Sequence, residues 1–218
     1  MAKRLLVFDC DGTLVDSSNG IADAMTSAFA FYDLECPPRK TILRQTGLPG
    51  KVMVARMRPD LSDNDCHLID RRYVDALRTE RTNGVLHPLY GGIRALLADL
   101  EGRHDLAIAT GMGRPGLDHV LSGHELMDYF VSLQTADVNP GKPDPTMLNA
   151  AMKETGREPA ETIMIGDTTY DGLLAKNAGV EFIGVAWGFH GKGELSEAGA
   201  GHVAADTEDL SRIVSNSI

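Results

Sequence analysis

Apolar residues fall along this chain in two rhythms: short unbroken runs closed by Gly, Asp or Thr, and longer stretches where they return every three or four positions. Lys3–Phe8 is the first short run, and it stops at Asp9-Cys10-Asp11-Gly12, which predicts a buried strand and then a turn. Ile21, Met25, Ala28, Phe29 and Tyr32 follow at helical spacing. Ser17 or Ser18 can cap that helix, and Cys36-Pro37-Pro38 stops it. A second helix is predicted over Leu68–Arg81, with Ile69, Tyr73, Ala76 and Leu77 on one face. No strand is predicted between Asp16 and His87.

Beyond Pro88 the two rhythms alternate. Strands are predicted at Leu106–Thr110, Tyr129–Leu133, Thr162–Gly166 and Glu181–Trp187. Helices are predicted around Ile93–Leu100, Leu117–Leu121, Leu148–Thr155 and Tyr170–Ala178. A short strand near His202–Ala205 and a helix capped at Asp206 or Thr207 complete the pattern. Strands separated by helices of this length imply parallel crossovers. The expected fold class is therefore α/β, a doubly wound parallel sheet forming a Rossmann-like core. Residues 1–16 and 88–218 would build that core, and 17–87 an all-helical insert after the first strand.

Composition narrows the function. With 218 residues, 43% apolar and 24% charged, the chain can bury a core and is neither disordered nor collagen-like. No run approaches the roughly 20 apolar residues of a bilayer span. Lys3-Arg4 followed by Leu5–Phe8 imitates a secretory signal, but four apolar residues fall short of the roughly 7–15 that one needs. The expected location is the cytoplasm, with no membrane partner. Cys10, Cys36 and Cys66 form no Cys-x-x-Cys pair, which argues against a disulfide framework or structural zinc. A formal charge of −10 and a pI near 5.1 argue against nucleic acid as a partner. That charge is uneven: Ser17–Pro88 carries +1 and the remainder −11.

Ligands of open parallel sheets bind at the carboxyl ends of the strands. The first strand delivers Asp9, Cys10, Asp11, Gly12 and Thr13 there, the second Thr110 and Gly111, and the Thr162–Gly166 strand Asp167, with Asp171 just beyond. A loop between the last two carries Lys142. Side chains two apart on extended backbone point the same way, so Asp9 and Asp11 share a direction. Asp167 and Asp171, four apart at a helix start, share a face. Such a concentration of carboxylates needs compensation, which a divalent cation and Lys142 would supply. All-oxygen donors without a histidine cluster favour magnesium over zinc or copper. The inventory describes phosphoryl transfer: one carboxylate attacks phosphorus, a second moves protons, and Lys, Thr and metal stabilise the transferring oxygens.

These residues resemble the haloacid dehalogenase superfamily, in its phosphatase branch. Phe8–Ser17 is similar to the first motif, Thr110 to the second, Lys142-Pro143-Asp144-Pro145 to the third and Gly166–Asp171 to the fourth. The helical insert resembles the cap of the subfamily that includes phosphoglycolate phosphatases. The resemblance implies Asp9 as nucleophile, Asp11 as acid/base, and Thr110, Gly111 and Lys142 on the phosphoryl group. It implies Mg2+ on the Asp9 carboxylate, the Asp11 carbonyl and Asp167, with Thr13 and Asp171 behind them. An acid at position 11 points to phosphate esters or anhydrides rather than to dehalogenation. Gly111 departs from the pattern, since many members carry Asn after the Thr. A small phosphorylated metabolite is the expected partner, phosphoglycolate first. Gln45–Pro49 resembles the cap loop that enters the active site, and a cation among Arg44, Lys51, Arg56 and Arg58 is expected to read the non-reacting end of the substrate.

Other readings compete. Gly111–Gly116 fits Gly-x-Gly-x-x-Gly, but Pro115 removes an amide donor and no acid ends the next strand. Cys10 lacks the Arg six residues on that a cysteine phosphatase needs, and its flanking acids would raise the thiol pKa, so a small side chain packed behind the site is expected. His119 and His124 do not face each other on a helix and do not read as metal ligands. Trp187 reads as packing. A phospho-aspartate signalling receiver is the non-enzymatic alternative, which Asp11 opposes by hastening hydrolysis. Within the enzymes, a sugar-phosphate mutase, a pyrophosphatase and a nucleotidase remain open. The insert is expected to open and close on hinges near Asp16–Ser18 and Leu86–Tyr90, on a microsecond-to-millisecond scale.

Overall fold

In the computed structural model, which describes residues 3–216, six parallel strands form one sheet in the order β3-β2-β1-β4-β5-β6. They are β1 (Leu5–Phe8), β2 (Asp105–Thr110), β3 (Phe130–Thr135), β4 (Thr162–Gly166), β5 (Glu181–Val185) and β6 (His202–Ala204). β1 lies between β2 and β4, with Phe8 in register with Ile108 on one side and Ile165 on the other. The strand order reverses at β1, so the crevice between β1 and β4 is where a doubly wound sheet binds its ligand.

The period of two along β1 explains both faces. Leu6 and Phe8 pack with α5 (Ile93–Glu101), α6 (Arg114–Gly123) and α10 (Thr207–Asn216), whereas Leu5 and Val7 pack with α7 (Thr146–Thr155), α8 (Thr169–Ala178) and α9 (Lys192–Glu197). All four β1 side chains are fully buried, and each contributes on the order of 1.5–3 kcal/mol of transfer free energy.

Between β1 and α5 lie α1 (Ser18–Ala30), α2 (Arg39–Leu43), α3 (Gly50–Met57) and α4 (Asp63–Thr82), and no strand among the described residues. They build a third core, with Ile21, Met25, Phe29, Met53, Val54, Ile69 and Tyr73 inside and Tyr170 of α8 joining it from the sheet side. The two connections to the sheet run side by side: Val15 bridges Leu89, the Asp16 amide donates to the Pro88 carbonyl at 2.9 Å, and the Tyr90 amide to that of Leu14 at 3.0 Å.

Several boundaries differ from the expectation for identifiable reasons. α4 begins at Asp63, because Ser62 and Asp65 form a capping box upstream of the apolar period. α6 begins at Arg114, whose amide donates to Asp137 Oδ2 at 3.1 Å. β3 runs on to Thr135, since its polar Gln134 is buried with Ser132 and Asn139 as hydrogen-bond partners. β5 ends at Val185, two residues before Trp187, and β6 at Ala204. α2, α3 and α9 were unpredicted; five to eight residues are too few to display a helical period.

Candidate active site

Four loops meet at the carboxyl edge of β1 and β4. The loop after β1 turns at Gly12, with φ +80°, where a Cβ would lie 2.3 Å from Asp167 Oδ2, so the turn and the close approach both require glycine. The Cys10 carbonyl accepts from the amides of Leu14 and Val15, at 2.8 and 3.1 Å, which folds the loop back on itself. The Trp187 indole fixes it from outside, donating to the Thr13 carbonyl at 3.0 Å.

Asp9, Asp167 and Asp171 converge, each offering a carboxylate oxygen within 4.8 Å of the others, and all three are buried. Lys142 is buried with them, its Nζ 2.9 Å from Asp9 Oδ1 and 2.6 Å from Asp171 Oδ1. Asp171 is set by the α8 capping box, its Oδ2 accepting from the Thr168 amide at 3.0 Å and hydroxyl at 2.7 Å. Asp167 accepts from the Thr13 hydroxyl at 2.9 Å and the Phe189 amide at 2.7 Å. Asp9 Oδ1 also accepts from the Cys10 amide at 2.7 Å, whereas its Oδ2 accepts no hydrogen bond among the described residues.

Charge explains the titration. Three carboxylates and one ammonium leave two negative charges without a counter-ion in a space closed to water. Burial pushes Asp9 up to about 7, against the pull of the Lys142 ammonium. Burial, then Asp171 and Asp9, push Asp167 well above the carboxylate range. Burial alone would lower Lys142, but Asp171 and Asp9 outweigh it and hold the ammonium above its ordinary value. A doubly charged cation restores neutrality, and three hard oxygen donors suit one. These residues form a divalent-cation site.

Asp11 is not part of that cluster. Its half-buried side chain lines a cavity of about 410 Å³ together with Asp9, Thr110 and Gly111, and burial raises its pKa. Thr110 is buried and its Oγ1 accepts from the Met112 amide at 3.2 Å, which leaves its proton free to donate. Lys142 and Thr13 are buried and do not line the cavity, and Cys10 packs in the sheet core, its thiol pushed up by burial.

The cap residues require correction. None of Arg44, Lys51, Arg56 and Arg58 lines the cavity. Arg44 pairs with Glu194, Lys51 with Asp63 at 2.6 Å, and Arg58 with Asp60 at 2.7 Å. Arg56 sits over the Tyr170 ring, 5.5 Å from its centroid. Arg44 and Arg56 instead dock the helical insert on the sheet domain, with His190 Nε2 3.0 Å from the Arg44 carbonyl and Tyr170 Oη 3.0 Å from Gln45 Oε1. The cations that do line the cavity are Arg78 and Arg81 of α4. The 45–49 loop enters as expected: Thr46, Gly47 and Leu48 line the cavity, and a Cβ on Gly111 would lie 3.1 Å from the Gly47 carbonyl.

His119 and His124 each bond a main-chain carbonyl. Their Nε2 atoms lie 2.8 Å from the carbonyls of Val85 and His87, tying the second connection to α6. The Gly111–Gly116 segment cannot seat a pyrophosphate in the usual way, because the Asp137 carboxylate already occupies the start of α6.

Comparison with known proteins agrees with this geometry. The family model "Haloacid dehalogenase-like hydrolase" matches residues 6–185. A protein of Dickeya dadantii named "Probable phosphatase IndB" is 34% identical over 199 residues, covering 90% of this chain and 86% of that one. A phosphoglycolate phosphatase of Vibrio vulnificus is 30% identical over 199 residues, covering 87% and 86%. The crystal structure of a hydrolase from Pseudomonas syringae superposes with a TM-score of 0.86 at 27% identity, covering 98% of this chain and 99% of that one. Among the described residues no helix is long and apolar enough to cross a membrane.

Proposed function

Because the chain belongs to the haloacid dehalogenase-like hydrolases, we propose that it is a magnesium-dependent phosphatase of small phosphomonoesters, working through a phosphorylated Asp9. The supporting observation is the uncommitted half of the buried Asp9 carboxylate: Oδ1 is engaged by Lys142 and the Cys10 amide, Oδ2 accepts no hydrogen bond among the described residues, and the residue lines the cavity. Asp9 and Asp167, with the Asp11 main chain, would hold Mg2+, since both Asp171 oxygens are already committed to Lys142 and Thr168. When bound, the metal neutralises charge on the phosphoryl oxygens.

The chain's own groups divide the work. Asp9 Oδ2 attacks phosphorus as the ester oxygen leaves. Asp11, held toward its protonated form by burial, gives that oxygen its proton and then takes one from the water that hydrolyses the phosphoenzyme. Thr110 and Lys142 donate to the phosphoryl oxygens. Among the described residues, 17–87 form the cap and 3–16 with 88–216 the core, the paired connections at Asp16–Ser18 and Leu86–Tyr90 serving as hinges. Phosphoglycolate, named for the Vibrio vulnificus relative, is the first compound to assay. Repeated turnover of p-nitrophenyl phosphate and phosphoglycolate that requires Mg2+ and vanishes in Asp9→Asn is the expected result. Turnover that survives in Asp9→Asn, after deamidation has been excluded, rules Asp9 out as nucleophile.

A further inference from the structure

The cavity above Asp9 and Asp11 is far larger than a two-carbon acid requires. At about 410 Å³ it lies within the roughly 300–1,000 Å³ of sites that enclose drug-sized ligands. Its walls beyond the carboxylates are largely apolar, with Ile21, Leu77 and Val85 from the cap, Leu48 from the docking loop, and Met112 and Val120 from the core. An apolar wall returns nothing to a glycolate carboxylate that it strips of water.

The charged groups along these walls are not equivalent. Arg78 is paired with Asp75 at 2.8 Å, and Glu80 faces His87 at 3.7 Å. Arg81 forms no ion pair among the described residues, and it stands beside the Met112 wall: a Cβ on Gly116 would lie 3.8 Å from Arg81 Nη1 and 2.8 Å from Met112 Cγ. A guanidinium without a carboxylate, at the border of an apolar chamber, is placed to receive the anionic end of a ligand that crosses the chamber.

Resting on the phosphatase reading of this site, we infer that the preferred ester carries an apolar leaving group longer than two carbons, ending in a carboxylate or similar anion that Arg81 binds. The phosphoryl group stays at Asp9, and the body of the leaving alcohol fills the space between.

The test is a kcat/KM series with the magnesium-loaded enzyme over phosphate monoesters of ω-hydroxy acids, from phosphoglycolate through the four-carbon and six-carbon homologues, with uncharged n-alkyl phosphates of matching length. Each added methylene is expected to raise kcat/KM about threefold to fourfold until the cavity is filled. Arg81→Gln is expected to lower kcat/KM for the long acids at least about tenfold more than for the uncharged esters of equal length. A series that peaks at phosphoglycolate and falls with length overturns the inference alone, as does an Arg81→Gln loss equal for charged and uncharged esters. Absence of magnesium-dependent turnover for every ester, and for the anhydride acetyl phosphate as well, overturns the phosphatase reading and this inference with it.

Discussion

Lys142→Met keeps the length of the side chain and removes the ammonium that lies between Asp9 and Asp171, 2.9 and 2.6 Å away. All three groups are buried, so no solvent replaces the lost charge. Breaking a buried ion pair from one side costs about 3–5 kcal/mol. For a chain of this size each kcal/mol shifts Tm by about 2–4 °C, so a fall of about 6–20 °C is expected near pH 8. The acids can escape by taking up protons, which sets the sign of the pH dependence. Asp9, already at about 7 with Lys142 present, and Asp167, also raised, move further up without it, while the unfolded chain keeps carboxylates near 3.8. The folded variant then binds more protons than its unfolded form, and its stability declines as pH rises from about 4 through 7 and beyond. Thermal unfolding of both proteins in a chelator, at about pH 5.5 and about pH 8, checks this. The deficit should be clearly smaller in acid. A deficit independent of pH, or greater in acid, refutes the account of Lys142 as counter-ion to these carboxylates.

Three other outcomes follow from the same site. Asp11→Asn should lower kcat by about two to four decades, the range of general acid–base groups, with Mg2+ affinity little changed; a loss below tenfold removes the role. Metal binding must displace the proton that Asp9 holds below about pH 7, so Mg2+ affinity measured by calorimetry should weaken about fivefold between pH 7 and 6, with proton release; equal affinity at pH 6 and 8 contradicts the raised Asp9. Gly12→Ala places a methyl group 2.3 Å from Asp167 Oδ2 at a φ of +80°, so Mg2+ affinity should fall at least about tenfold while circular dichroism reports an intact fold. Unchanged affinity would show that the loop yields without moving Asp167.

The fold was legible because its signals are local and redundant. Each core strand is a run such as Leu5–Phe8 or Thr162–Gly166, and the helices packed on them repeat at Ile93, Leu96, Leu97 and Leu100 or Leu117, Val120 and Leu121. What the pattern missed depends on side chains that bond backbone. Ser62 with Asp65 starts α4 five residues early, and Thr168 with Asp171 both starts α8 and sets a site carboxylate. Both pairs match the Ser/Thr-x-x-acid signature of a capping box, so that signal was available in the sequence.

The site divides along the same line. Residues carried to the sheet edge by strands, namely Asp9, Thr110 and Asp167, sit where topology requires, and Lys142 joins them through its ion pairs with Asp9 and Asp171. The cap cations failed because proximity to the 45–49 loop in sequence says nothing about which face of a helix meets the cavity. Arg44 and Arg56 turn toward Glu194 and Tyr170 of the core, while Arg78 and Arg81, far from that loop in sequence, return to the opening along α4. His119 and His124 went unread for a related reason: a histidine that bonds a main-chain carbonyl, as these do at Val85 and His87, leaves no side-chain partner for a motif to include. The catalytic carboxylates are thus set by the order of the strands, which the sequence displays openly. Which cations meet the cavity is set by how α4 lies along it, and only coordinates reveal that placement.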